Sequence, residues 1–234
     1  MPHPPKAFVS WSSGKDSAFA LCEARYRGLA DIVGALTTVT ERYDRVAMHG
    51  VRRSLLRRQI GSLGLPSVEA LLPSPCPNEA YEVRMAQACE QLKAQGVRHL
   101  VFGDLFLEDI RAYRERQLAA LGMSAIFPLW KCATGPLARR MIASGLIAHL
   151  VCLDPRRLGR EFAGRRFDEQ LLAELPPDVD PCGENGEFHT VVSAGPMFRA
   201  PIDVQVGEVV ERDGFVFADV LPVEESAAAR AEQT

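Results

Sequence analysis

AFVSWSSGKDSAFALCEARY, residues 7–26, decides how this chain folds. It begins with the apolar run Ala7, Phe8 and Val9, which suits a buried parallel strand. It ends in an amphipathic segment, with Phe19, Cys22 and Tyr26 at helical spacing and Glu23, Arg25 and Arg27 on the other side. Between the two lie Ser12, Ser13, Gly14, Lys15, Asp16 and Ser17, all small or polar. A strand turning through such a loop into a helix presents unpaired amides and the positive end of a helix dipole, which together receive phosphate. The plainer reading is a capped helix after a strand, with Asp16 or Ser13 as the cap.

A Walker loop needs Gly five residues before its Gly-Lys pair and Ser or Thr directly after it. Val9 and Asp16 stand at those places, so that reading fails. The loop instead resembles the Ser-Gly-Gly-x-Asp-Ser pyrophosphate loop of the ATP-pyrophosphatase (adenine nucleotide alpha hydrolase) superfamily, whose members release pyrophosphate and pass AMP to an acceptor. Ser13 departs from that pattern, which usually has Gly there. If the position needs positive φ, Ser carries a strain of ~1–3 kcal/mol.

Working outward, the pattern predicts strands at 32–39, 68–72, 99–102 and 125–127, alternating with helices at about 51–60, 78–95 (capped by Asn78) and 108–121. With the first strand this makes a five-stranded parallel sheet covered on both faces, its order reversing beside the first strand. Ligands of such sheets sit beyond the strands' carboxyl ends, where Ser12, Thr37, Thr38 and Asp104 are expected to gather. Past Pro128 the character changes to a short helix at 134–143, a strand at 147–153 and a helix at 168–175. A β-rich remainder follows at 190–193, 204–211 and 215–220, the last two forming a hairpin about Arg212-Asp213-Gly214. The expected division is a nucleotide-binding domain at 1–127, a smaller α+β subdomain at 128–223 packed on it, and a disordered tail at 224–234.

Composition bounds the function. The 234 residues carry 27 Lys and Arg against 30 Asp and Glu, a net charge of −3, so bulk electrostatics recruit no nucleic acid. Basic clusters at Arg52, Arg53, Arg57 and Arg58, and at Arg156, Arg157, Arg160, Arg165 and Arg166, read first as solvated faces. No apolar run approaches a membrane span, and no apolar signal segment precedes the first strand. The six cysteines form no CxxC and fall partly within apolar segments, as reduced cytoplasmic thiols do.

The second informative stretch is Cys182-Gly183-Glu184-Asn185-Gly186-Glu187-Phe188-His189-Thr190. Its close carboxylates suit magnesium, an amine or ammonia, although Gly, Asn and Glu equally make a solvated turn. The order SSGKDS, VFGD (101–104), FPLW (127–130) and GENGEFHT resembles the diphthine–ammonia ligase family over residues 7–200. That resemblance implies a Rossmann-like (HUP-type) nucleotide domain whose C-terminal subdomain turns its Gly-Glu motif towards ATP. It also implies the reaction: ATP activates a carboxylate as an acyl adenylate, ammonia attacks, and an amide, AMP and pyrophosphate leave. Eukaryotic members have Gly in place of Asn185, Glu in place of His189, and extra C-terminal domains; this chain looks more like the short prokaryotic members.

Within that frame Ser12, Ser13, Gly14, Lys15 and Ser17 cradle phosphates, and Lys15 neutralises the departing pyrophosphate or is a plain solvent lysine. Asp16 caps the helix or holds Mg2+ through water, Asp104 binds Mg2+ or ribose, and Gly103 allows close approach. Thr37 and Thr38 lie by adenine or ribose, or simply finish a strand. Glu184 and Glu187 serve the acceptor or a metal, and His189 takes a proton from ammonium or is structural. The expected partners are ATP, a carboxylate-bearing substrate and ammonia, with neither nucleic acid nor membrane, and a homodimer left open. Two alternatives stand beside the ligase. One is a sulfur-transferring enzyme of the same loop, for which Cys132 and Cys182 lie nearest the site; the other is a non-catalytic nucleotide sensor.

Overall fold

Strand β1 (Lys6–Ser10) sets the sheet, because its three buried residues alternate between two cores. Ala7 and Val9 enter one apolar cluster and Phe8 the other, so both faces of the strand need cover. A computed structural model describes residues 3–223; the expected tail at 224–234 lies outside them. β1 pairs in parallel with β2 (Asp31–Thr40) on one side and β5 (His99–Val101) on the other. β4 (Ser67–Leu72) flanks β2 and β6 (Ser124–Ile126) flanks β5, both in parallel. The parallel order is therefore β4-β2-β1-β5-β6, reversing beside β1 as the βα alternation predicts. Two residues, β3 (Arg45–Val46), add an antiparallel edge at the end of β2.

Helices α1 (Lys15–Tyr26) and α2 (Arg53–Leu63) supply Leu21, Ala24, Leu55 and Leu56 to one core, while α3 (Asn78–Ala94) and α4 (Glu108–Ala120) supply Ala88, Leu92 and Leu118 to the other. Three local expectations need correction. Tyr26 is exposed, whereas Phe19 is buried and Cys22 packs against the core as expected, and α1 adds Ala18, Ala20, Leu21 and Ala24 to them. Asn78 is the first helical residue rather than the cap, and its amide donates to Glu82. Thr37 and Thr38 do not end β2, which runs on to Thr40 because β4 continues to pair with it.

The C-terminal part begins with α5 (Thr134–Ala143) and β7 (Ile147–Leu153). It continues through α6 (Glu169–Glu174), whose N-cap Asp168 accepts from the Leu171 amide, and β8 (Phe188–Ala194). β9 (Val204–Arg212) and β10 (Phe215–Pro222) form the expected hairpin, with Asp213 and Gly214 both at positive φ as its turn requires. The four strands make an antiparallel sheet of order β8-β7-β10-β9. Its core is continuous with that of the first sheet, since Leu146, Val191 and Val216 share a cluster with Val9, Leu21 and Leu55. The outer edge of β8 is not left open: it bonds to the loop after β1.

Candidate active site

The loop after β1 is held in a strained shape. Ser13 takes φ 71°, a left-handed conformation disfavoured for a residue with a Cβ, and so the resemblance's usual Gly is explained by geometry. The Ser12 and Ser17 hydroxyls are spent on one another, 3.1 Å apart, and Ser17 also donates to the Gly14 carbonyl at 3.0 Å. Gly14 occupies the N-cap of α1 with no side-chain cap bond, so neither Ser13 nor Asp16 is the cap. The buried hydroxyls of Ser13 and Thr37 have no hydrogen-bond partner among the described residues, which leaves two polar groups for a ligand to satisfy.

β8 completes this loop from the other half of the molecule. The Lys15 amide donates to Thr190 Oγ1 at 3.1 Å, and the Val192 amide donates to the Ser13 carbonyl at 2.9 Å. His49 donates from Nδ1 to the Thr190 carbonyl at 2.9 Å, which fixes the proton on that nitrogen. Its ring packs against Gly14 and lies 4.7 Å from that of His189. Burial pushes the pKa of His49 down to about 4 and that of His189 to about 3, so both imidazoles are neutral near pH 7.

Lys15 is 1% exposed, so the solvent-lysine alternative is excluded. Its Nζ reaches Asp16 Oδ2 at 2.9 Å, donates to the Cys182 carbonyl, and stands 5.5 and 5.3 Å from the ring centres of Phe167 and Phe188. Burial is the largest single influence and lowers the pKa of Lys15, but the charge and hydrogen bond of Asp16, together with Cys182 and Glu184, outweigh it and hold the pKa above its ordinary value.

The GENGE segment is a turn wound about two acids. Asp180 Oδ1 accepts from the Cys182 and Glu184 amides at 2.9 and 3.2 Å. Gly183 is at φ 69°, with no room for a Cβ beside the Phe188 carbonyl. Glu184 crosses to the first half, where it accepts from the Leu105 amide at 2.8 Å. Burial raises its pKa to about 7, against the pull of that amide, and the Asp16 charge pushes the same way as burial. Glu187 has a different place. Fully buried, it accepts from the amides of Asp180 and Asn185 and faces Arg157 at 3.6 Å. Gly103 brings the end of β5 against the start of α1, where a Cβ would come within 2.6 Å of the Asp16 backbone. Asp104 gives its carboxylate to Arg114 at 2.9 Å.

The structure thus collects the SSGKDS loop, Gly103, Glu184, His189 and Thr190 at one place. Glu187 serves its own turn, and Asp16 and Asp104 each hold a cation. Among the described residues no group of three or more His, Cys, Asp and Glu stands ready for a metal ion. The residues fit a nucleotide's phosphates through the unsatisfied hydroxyls, Lys15 and the start of α1; they offer no ready-made protein cage for magnesium. Beside His189 a cleft of about 320 Å3 opens between the two sheets, walled by Val46, Met48, Phe215 and Phe217. His49 and Gln59 are contributors the sequence did not single out. His49 lies in a turn without periodicity, and Gln59 reads as one polar residue of an Arg- and Leu-rich helix.

Fold and site define a Rossmann-like α/β protein whose loop after β1 is completed by a small antiparallel subdomain. A family model described as diphthamide synthase C-terminal domain matches residues 135–220. The chain is similar to the diphthine–ammonia ligase of Danio rerio, 25% identical over 233 residues, covering 89% of this chain and 90% of that one. It is also similar to the diphthine–ammonia ligase of Schizosaccharomyces pombe, 33% identical over 95 residues, which is 39% of this chain but only 16% of that much longer protein. These matches support the diphthine–ammonia ligase family.

Proposed function

We propose that the chain is an AMP-forming carboxylate–ammonia ligase. ATP would supply the leaving pyrophosphate and the activating adenylyl group; magnesium would enter with the nucleotide. The observation that carries the reading is the meeting of the two motifs: the Lys15 amide bonds Thr190 and the Lys15 Nζ bonds the Cys182 carbonyl, across 175 and 167 residues of chain. Lys15 then neutralises the departing pyrophosphate, paired with Asp16 so that its charge persists despite burial. Glu184 takes a proton from ammonium, for which a carboxyl titrating near pH 7 is suited. The cleft beside His189 receives the body of the carboxylate substrate. The family resemblance makes diphthine one candidate for that substrate.

The sulfur-transfer reading has less support. The Cys182 thiol donates to the Thr134 carbonyl and burial raises its pKa far above the usual thiol range, so it is not a ready thiolate. All six cysteines are free, which suits the reducing cytoplasm. Among the described residues no helix is long and apolar enough to cross a membrane.

The test is product analysis with ATP, ammonium and a panel of carboxylates. The reading expects AMP and pyrophosphate in amounts that depend on the acceptor. ADP and phosphate would overturn it, and an absence of turnover across the panel, with ATP still bound, would favour a sensor.

A further inference from the structure

We propose that Gln59 is a positioning residue that locks the Ser13 turn into its phosphate-receiving shape; this rests on the nucleotide reading of the loop. Gln59 projects from α2, is fully buried, and uses its whole amide. Its Oε1 accepts from Trp11 Nε1 at 3.1 Å. Its Nε2 donates to the Val192 carbonyl at 2.8 Å and to the Ser13 carbonyl at 3.3 Å. One side chain thereby ties together the residue that continues β1, the residue at φ 71° and the edge of β8.

A non-glycine residue stays at positive φ only when its surroundings over-determine it. The Ser13 carbonyl is fixed from two directions, by the Val192 amide and by Gln59 Nε2. Rotating that peptide back to negative φ would break both bonds among fully buried residues, where an unpaired carbonyl or amide is costly. Gln59 thus permits a serine where the resembled loops have glycine, and the Ser13 hydroxyl is left buried and unpaired beside α1.

Titration calorimetry of the full chain with magnesium pyrophosphate, and separately with AMP, tests this. Gln59→Met keeps volume and removes every bond; Gln59→Glu keeps the acceptor for Trp11 and loses both donors. Both variants should bind pyrophosphate about tenfold more weakly, the scale of one lost buried hydrogen bond, with AMP affinity within about twofold. Adding Ser13→Gly to either should restore most of the pyrophosphate affinity, because glycine takes the turn without being held there. A parallel loss of both ligands, unchanged pyrophosphate binding, or no rescue by Ser13→Gly would overturn the inference. If Gln59→Met does not fold, the Gln59→Glu pair carries the test. Wild-type protein that binds neither ATP nor pyrophosphate would instead overturn the nucleotide reading, and the positioning role with it.

Discussion

At Lys15 a cation is kept out of water and kept charged, and Asp16 is what reconciles the two. Replacing Lys15 by Met keeps an unbranched apolar chain but removes the ammonium that lies over Phe167 and Phe188, and should lower pyrophosphate release by ~10²–10³-fold, the usual cost of one charge-stabilising donor. An unchanged rate would make Lys15 a structural cation only. Glu184 gives a pH signature. Its carboxyl is raised to about 7, so its basic form is scarce at pH 6 and dominant at pH 8. Turnover should therefore rise with pH and level off above about 7, and the residual rate of Glu184→Gln should lack that limb. Glu187→Gln, by contrast, should chiefly destabilise the fold, since its oxygens bond backbone amides and face Arg157. A normal melting temperature with lost turnover would reverse that assignment.

Among the elements, the end of β5 and the start of α1 meet backbone to backbone at Gly103. Gly103→Ala should cost about 1–3 kcal/mol, the range for an overpacked core, as read by denaturant unfolding. A neutral result would mean that α1 can slide away from the sheet. The strands were legible because apolar runs such as IVGALTTV and IAHLVCL leave few alternatives once their lengths are right. The elements that escaped are those without a period: β3 has two residues, and the turn carrying His49 has none of its own. The cap expected from Asn78 failed because Pro77 already supplies the extended residue before the helix. At the site, the two motifs could be read in the sequence, but their union could not. It depends on backbone bonds from β8, such as the Val192 amide to Ser13, in which side-chain identity plays no part.

Over the whole molecule, one carboxylate fastens the two sheets. Asp219 on β10 bonds Arg45 on β3 at 3.0 Å and Arg52 before α2 at 2.7 Å. Burial opposes its ionisation, but the two guanidiniums prevail and its pKa lies below the ordinary value. A depressed folded pKa means that the contribution is full above about pH 4 and is lost as pH falls through the folded value. Asp219→Asn should cost roughly 1.5–3 kcal/mol at pH 7, less whatever solvent screens at the more exposed Arg52, and should flatten the acid limb of stability against pH. An acid limb identical to wild type would place the acid sensitivity elsewhere. The arginines of the two basic clusters pair within their own halves, Arg53 with Glu69, Arg156 with Asp154 and Arg165 with Glu174, and Arg156 stays exposed as a solvated face requires. The loop bound to the edge of β8 also carries a consequence for the order of synthesis. A ribosome delivers Ser13 early and Val192 some seconds to tens of seconds later, at ordinary elongation rates of about 5–20 residues per second. Until then the nascent loop lacks its Val192 and Thr190 anchors, so a chain arrested at residue 127 should hold nucleotide poorly, and competence should arrive late, when β8 clears the exit tunnel.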